Sequence, residues 1–215
     1  MVAAGGTEDH PEELLKELGS PHKVLAADGG FRLLKRMGLE CDLLVGDFDT
    51  LSPGELLEAE ERGVAIERHP ADKAQSDLEL ALGHAVRQGA SQLTLIGALG
   101  GEWDHCLANL IAPLTFLTSH GVWARLLTSQ AQVYLADRPV VLRAPGQRVS
   151  LHSLSPKVEG LSLSGFEYLL DQAVLHRHQT LGLANRTLSE EARISFQTGE
   201  LFITLMSPTA KSGSS

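Results

Sequence analysis

The sequence predicts an α/β chain: an N-terminal domain built on a parallel sheet covered by helices, followed by a smaller antiparallel β-sandwich domain. Three observations support this. Over the first two thirds, short apolar runs alternate with amphipathic segments, the pattern of strands buried beneath helices. From about Gln130 the apolar period falls from helical to two, and Pro139, Pro145, Gly146, Pro156, Gly160, Gly165, Gly182 and Gly199 punctuate the chain. Its 215 residues, 43% of them hydrophobic, suffice for one to two cores without disulfide staples. The expected division is an α/β catalytic domain over residues 1–128, a β domain over 129–207 and a polar tail over 208–215.

Taken in order, residues 1–4 read as a short first strand ending in the Gly5–Gly6 turn. Further strands are expected at 23–27, 42–45, 64–68, 92–98 and 122–127. Between them, residues 30–37, 53–62, 77–88 and 103–118 carry Leu, Ala and Met at helical spacing. Ser52, Pro53, Gly54 and Glu55 read as a capping box with Pro at the first helical position. In the last of these helices, Leu107, Leu110, Ile111, Leu114 and Leu117 form the expected core stripe. Short antiparallel strands are expected at 140–143, 148–153, 158–164, 192–196 and 201–205.

Charge and cysteine usage restrict the function. Acidic residues outnumber basic ones 27 to 18, a net charge of −9, which argues against nonspecific nucleic-acid binding. Cys41 and Cys106 lie singly in apolar surroundings without CxxC spacing, which disfavours a zinc framework and suits a reducing, cytoplasmic setting. No apolar run approaches the ~18 residues of a membrane span, and no basic segment precedes an apolar block at the N-terminus. An acidic protein that handles a phosphorylated ligand needs compensating positive charge, and a divalent cation is the first candidate.

The chemistry-bearing residues fall where strands end. Asp47 and Asp49 follow the apolar run 43–45 and Gly46, and carboxylates at the carboxyl end of a parallel strand suit a hard cation. The alternative is a solvated turn. Asp28, Gly29 and Gly30 follow the strand ending at Ala27, where glycines allow close backbone approach to a phosphate. Ser76 and Asp77 open a helix, and Glu79 three residues after Ser76 makes a capping box the alternative reading. Gly100, Gly101, Glu102, Trp103, Asp104 and His105 follow the apolar strand 92–98, with Asn109 one turn beyond His105. His105 reads either as part of a polar ligand rim or as a buried hydrogen-bonded histidine.

The ordered set ADGG (27–30), LVGDFDT (44–50), SDLELAL (76–82), ALGGEWDH (98–105), LANL (107–110) and GLAN (182–185) resembles the bacterial thiamine pyrophosphokinase (thiamine diphosphokinase) family. The resemblance runs from about residue 24 to 205. It implies an α/β catalytic domain, a thiamine-binding β domain, a homodimer, and use of Mg2+ and ATP to convert thiamine to thiamine diphosphate and AMP. On the matching positions it implies that Asp47, Asp49, Asp77 and Asp104 are catalytic acids and metal ligands. Asp28, Gly29, Gly30, Ser76, Gly100, Gly101, His105 and Asn109 would line the nucleotide and diphosphate path. Gly182, Leu183, Ala184 and Asn185 would help form the thiamine pocket. Neither nucleic acid nor membrane is implied as a partner.

The chain departs from the family pattern at motif positions. The K-D-x-T-D segment is Lys73, Ala74, Gln75, Ser76, Asp77 here, so one carboxylate is missing, and Asp72 is the expected substitute. Glu102 stands where the family usually has Arg, and Arg186 where it usually has Glu. The two either compensate each other in one cleft or occupy surface positions free to vary. Two other functions stay open at this point: a diphosphokinase acting on another heterocyclic alcohol such as a pterin, and a catalytically weakened thiamine- or nucleotide-binding protein.

Overall fold

The computed structural model describes residues 1–207, so the 208–215 tail lies outside the described residues. The chain divides into two compact units, Met1–Ser129 and a second beginning at Gln130.

The first unit alternates strand and helix: β1 (Val2–Ala3), α1 (Pro11–Leu18), β2 (Leu25–Ala27), α2 (Gly30–Met37), β3 (Leu43–Gly46), α3 (Pro53–Glu61), β4 (Ala65–Arg68), α4 (Asp77–Arg87), β5 (Gln92–Ile96), α5 (Trp103–Ser119) and β6 (Trp123–Leu127). Its strands lie in the order β6-β5-β1-β2-β3-β4, each neighbouring pair parallel. The inner strands are buried on both faces, as the continuous apolar runs require. Ala3, Ala26, Leu44 and Ile96 join a core with Leu14 and Leu18 of α1, Phe31 and Leu34 of α2 and Ala59 of α3. The alternating residues Val2, Leu25, Leu43 and Leu95 are also buried and therefore face the other side, while α4 packs against β2, β3 and α5.

Two elements differ from the sequence reading. The helix α1 was not expected; its PEELLKEL has Pro at its start but no side-chain N-cap, so the usual start signal is weak. In α5 the buried residues are Pro113, Leu114 and Leu117, whereas Leu107 is 60% exposed and does not belong to the core stripe. Leu110 and Ile111 are half-buried, so the stripe is covered progressively along the helix and is open at Leu107.

The second unit contains β7 (Ala131–Ala136), β8 (Val140–Leu142), β9 (Arg148–Ser153), β10 (Lys157–Ser164), β11 (Leu170–His176), β12 (Asn185–Arg186), β13 (Ala192–Ser195) and β14 (Leu201–Met206). Among the described residues, β12-β9-β14-β7 and β11-β10-β13-β8 run antiparallel throughout. Alternate residues point inward: Val149 and Leu151 of β9 and Ile203 and Leu205 of β14 meet Val158, Leu161 and Leu163 of β10 and Ile194 of β13 in one core. That is the expected sandwich. β7 and β11 were not anticipated. β11 pairs with β10 through register shifts, with Gly160 and Gln172 at positive φ (68° and 45°), so the period of two is interrupted there.

Candidate active site

In the first unit the chain order reverses between β1 and β5, so the crevice at the carboxyl ends of these strands is the sheet's topological switch point. There the turns pack backbone against backbone. A Cβ on Gly6 would stand 2.3 Å from the Leu99 carbonyl oxygen, one on Gly30 2.0 Å from that of Ala3, and one on Gly100 2.3 Å from that of Thr7. The Gly6 amide donates to the Gly97 carbonyl at 2.7 Å, and the Thr7 hydroxyl donates to Gly100 O. Gly5, Gly6 and Thr7 were absent from the sequence-based site. The glycine turn itself was visible, but its closeness to the β5 loop is a product of topology.

Three carboxylates converge beside β3. Gly46, at φ 156°, is the hinge: a Cβ there would lie 3.2 Å from Asp28 Cβ and 3.2 Å from Asp77 Cγ, so only a missing side chain lets Asp28 and Asp77 approach. Asp28, with φ 42° and 7% exposure, accepts a hydrogen bond at Oδ2 from the Thr50 hydroxyl. Its Oδ1 is buried without a hydrogen-bond partner. Burial raises its pKa above the ordinary carboxylate value, the Thr50 bond opposes the rise, and the charges of Asp77 and Asp49 add to it.

Asp47 has the opposite electrostatics. Its Oδ2 accepts from Lys73 Nζ at 2.8 Å, and this bond holds its pKa below the usual value. Lys73 Nζ also stands 3.1 Å from Asp77 Oδ1, an ion-pair distance without hydrogen-bond alignment, since that buried oxygen has no hydrogen-bond partner. Asp72, the expected substitute for the missing acid, is exposed; the neighbour that reaches the acids is Lys73. The i,i+4 spacing from Lys73 to Asp77 was the available signal.

The loop carrying Asp47 and Asp49 is fixed from both sides. Arg32 donates to the Thr50 carbonyl at 2.7 Å while pairing with Glu55 through Nε and Nη2 at 2.6 and 2.8 Å. Arg68 donates to the Asp47 carbonyl at 3.3 Å and stacks its guanidinium 4.8 Å from the centre of the Phe48 ring. Asp49 is exposed, its amide 3.3 Å from Asp47 Oδ1.

A second group lies at the same edge of the sheet, at the start of α5. Glu102, Asp104 and His105 are exposed, and their ligand atoms all lie within 4.8 Å of one another. Asp104 Oδ1 accepts from the His105 amide at 2.8 Å, so His105 is not a buried core histidine. Asn109 donates to the Ala98 carbonyl at 2.9 Å and braces the loop before the helix. Ser76 is committed to capping α4: its hydroxyl accepts from the Glu79 amide at 3.2 Å, and Glu79 Oε2 accepts from the Ser76 amide at 2.8 Å.

In the second unit, Gly182 packs against β9, where a Cβ would meet the Leu151 carbonyl oxygen at 2.5 Å. Leu183 is partly exposed and Ala184 sits at φ 57°. Asn185 is buried and its amide is consumed: Nδ2 donates to the Tyr168 carbonyl at 2.7 Å, and Oδ1 accepts from the Tyr168 amide at 3.0 Å. It thereby fixes the segment that exposes Tyr168 and Leu169. Arg186 donates to the Gly146 carbonyl at 2.7 Å and lies 3.9 Å from Glu167.

Fold and site together define an α/β protein with close-packed glycine turns at the switch point of its parallel sheet and a carboxylate cluster at the carboxyl ends of β2 and β3, joined in sequence to an antiparallel sandwich. Two family models match the chain, the thiamin pyrophosphokinase catalytic domain over residues 15–121 and the thiamin pyrophosphokinase vitamin B1 binding domain over residues 139–201. The chain belongs to the thiamine pyrophosphokinase family. It is 25% identical over 205 residues to thiamine pyrophosphokinase of Bacillus subtilis, covering 94% of this chain and 95% of that protein. The crystal structure of the Bacillus subtilis thiamine pyrophosphokinase superposes with a TM-score of 0.85 at 23% identity, over 96% of this chain and 97% of that one. A thiamin pyrophosphokinase family protein from Enterococcus faecalis gives a TM-score of 0.80 at 25% identity, over 97% and 98%. No helix among the described residues is long and apolar enough to cross a membrane.

Proposed function

We propose that the chain is a magnesium-dependent thiamine pyrophosphokinase that transfers diphosphate from ATP to the hydroxyl of thiamine, giving thiamine diphosphate and AMP. The convergence of Asp28, Asp47 and Asp77 around Gly46 carries this reading, because Asp28 Oδ1 is buried without a hydrogen-bond donor and Asp47 and Asp77 share one Lys73 ammonium between them. Three hard carboxylates with a single ammonium among them fit Mg2+, which takes one or two carboxylates together with phosphate oxygens. Asp47, Asp49 and Asp77, with Asp104 at the start of α5, are the residues that would hold it, and Asp28 adds a fourth acid beside β3. Bound magnesium supplies neutralisation of the phosphate charge.

The chain's own part is positioning. The glycines at 5, 6, 29, 30 and 100 let the turns after β1, β2 and β5 pack closely together, Gly101 leaves open space beside them, and the starts of α2 and α5 present amide groups to the phosphate chain. The thiamine hydroxyl oxygen bonds to the β-phosphorus of ATP and gives up its proton to a neighbouring carboxylate or to solvent, the bond from that phosphorus to the bridging α,β oxygen breaks, and AMP departs with that oxygen. Such a transfer depends on alignment and charge more than on a covalent nucleophile. Ser76 and Asn109 contribute by fixing α4 and the loop before α5, and His105 by facing solvent beside Asp104. Thiamine contacts belong to residues 182–185 in the second unit, with Asn185 holding the Tyr168 segment. A cytoplasmic homodimer completes the reading.

The vitamin B1 binding model over residues 139–201 favours thiamine over a pterin alcohol. Incubation with Mg-ATP and thiamine, followed by chromatography of AMP and thiamine diphosphate, tests the proposal. Equal amounts of the two products are expected, and Asp47→Asn should lower the rate by about 10²–10³ while leaving the circular dichroism spectrum intact. Thiamine binding without AMP release would favour the weakened binding protein instead.

A further inference from the structure

The ammonium of Lys73 stands between two carboxylates, 2.8 Å from Asp47 Oδ2 and 3.1 Å from Asp77 Oδ1. All three side chains are largely sheltered, 15%, 13% and 21% exposed for Lys73, Asp47 and Asp77. Asp28 lies against the same place across Gly46, with Oδ1 buried and unpartnered. The cluster therefore holds three carboxylates and one ammonium, and the ammonium bridges two of the acids. Lys73 comes from the segment between β4 and α4, at the end of a flexible four-carbon stem.

Building on the magnesium-dependent reading above, we propose that Lys73 is a displaceable counter-ion: it holds Asp47 and Asp77 in register without metal and competes with the divalent cation for the same two oxygens. A dication binding between these acids drives the ammonium off them by like-charge repulsion. The stem then carries the charge a few ångströms, where it can pair with an anionic ligand instead of with the acids. A lysine that only stabilised the fold would behave differently, because its loss would weaken metal binding. Loss of a competitor strengthens it.

Mn2+ binding, measured by electron paramagnetic resonance without nucleotide or thiamine, separates the two roles. Lys73→Met keeps the stem and removes the charge; it should bind Mn2+ about tenfold more tightly than the unmodified protein. It should also melt at a lower temperature without metal, with the deficit removed by saturating Mn2+. Lys73→Arg, which keeps the charge, should restore near-normal affinity. Asp47→Asn should weaken Mn2+ binding in both backgrounds and so place the ion at these acids. Unchanged or weaker Mn2+ affinity in Lys73→Met, or binding indifferent to Asp47→Asn, overturns the proposal. The transfer assay is separate: absence of AMP release would count against the pyrophosphokinase reading without altering the Mn2+ result.

Discussion

Asp28 and Asp47 are neighbours in space with opposite consequences for stability. Asp47 is held below its ordinary pKa by the Lys73 bond, so its contribution is present above the unfolded carboxylate pKa and is lost as pH falls through the folded one. Asp28 is held above, first by burial, so the folded state binds its proton more tightly than the unfolded state does. Its ionisation therefore lowers stability as pH rises from the unfolded value toward the folded one. Asn tolerates the positive φ of this position and still accepts from Thr50, so Asp28→Asn should remove the cost. The expected gain at pH 7 is ~1 kcal/mol, a rise of about 2–4 °C in Tm, shrinking to nothing below pH ~3.5, with loss of transfer activity. Calorimetry at the two pH values checks it, and a variant no more stable than the parent at pH 7 would remove the buried charge as a source of strain. The acids at 28, 47, 49 and 77 could be read from the sequence because each follows an apolar strand or opens a helix. Their electrostatic differences could not, since these depend on Lys73, Thr50 and the bare Cα of Gly46 brought together by folding.

At the scale of elements, the acid cluster exists because β2, β3 and α4 are held close at one edge. Gly46 is the last residue of β3, and its backbone accepts from the His69 amide at 2.8 Å, tying β3 to the residue after β4. Gly46→Ala introduces a methyl 3.2 Å from both Asp28 Cβ and Asp77 Cγ, at φ 156° where a side chain is strained. It should destabilise the protein by roughly 1 kcal/mol or more and weaken Mn2+ binding, because one acid must move. A variant with parental Tm and Mn2+ affinity would show that the crowding is relieved without disturbing the acids. Apolar runs made β2, β3, β5 and β6 legible, and the capping boxes at Ser52 and Ser76 fixed the starts of α3 and α4. The first strand was also legible at residues 1–4, although β1 is only two residues long and owes its place to parallel partners on both sides. What escaped had weak local signals, as α1 does without a side-chain N-cap. The exposure of Leu107 in α5 follows from what faces the first half of the helix, which spacing alone does not contain. The core of α5 lies further on, so Leu114→Ala should cost about 2–5 kcal/mol in chemical denaturation.

Across the whole chain the net charge is −9, and the two units each close on their own hydrophobic core. The sequence contains two tryptophans, and both fall in the first unit: Trp103, exposed at the start of α5, and Trp123 at the start of β6. Tryptophan fluorescence therefore reports melting of the unit proposed to bind Mg-ATP, whereas far-ultraviolet circular dichroism reports both. A ligand that binds only the folded state stabilises it by RT ln(1 + [L]/Kd), about 2.7 kcal/mol at a hundredfold excess over Kd. Mg-ATP should thus raise the fluorescence-detected midpoint by about 5–11 °C at that excess, taking about 2–4 °C per kcal/mol. ATP with a chelator should give a smaller rise, and Asp47→Asn should lose most of the magnesium-dependent part. If the midpoint rose equally with ATP alone, nucleotide binding would be independent of the acids beside β3, and the charge at that edge would need another partner.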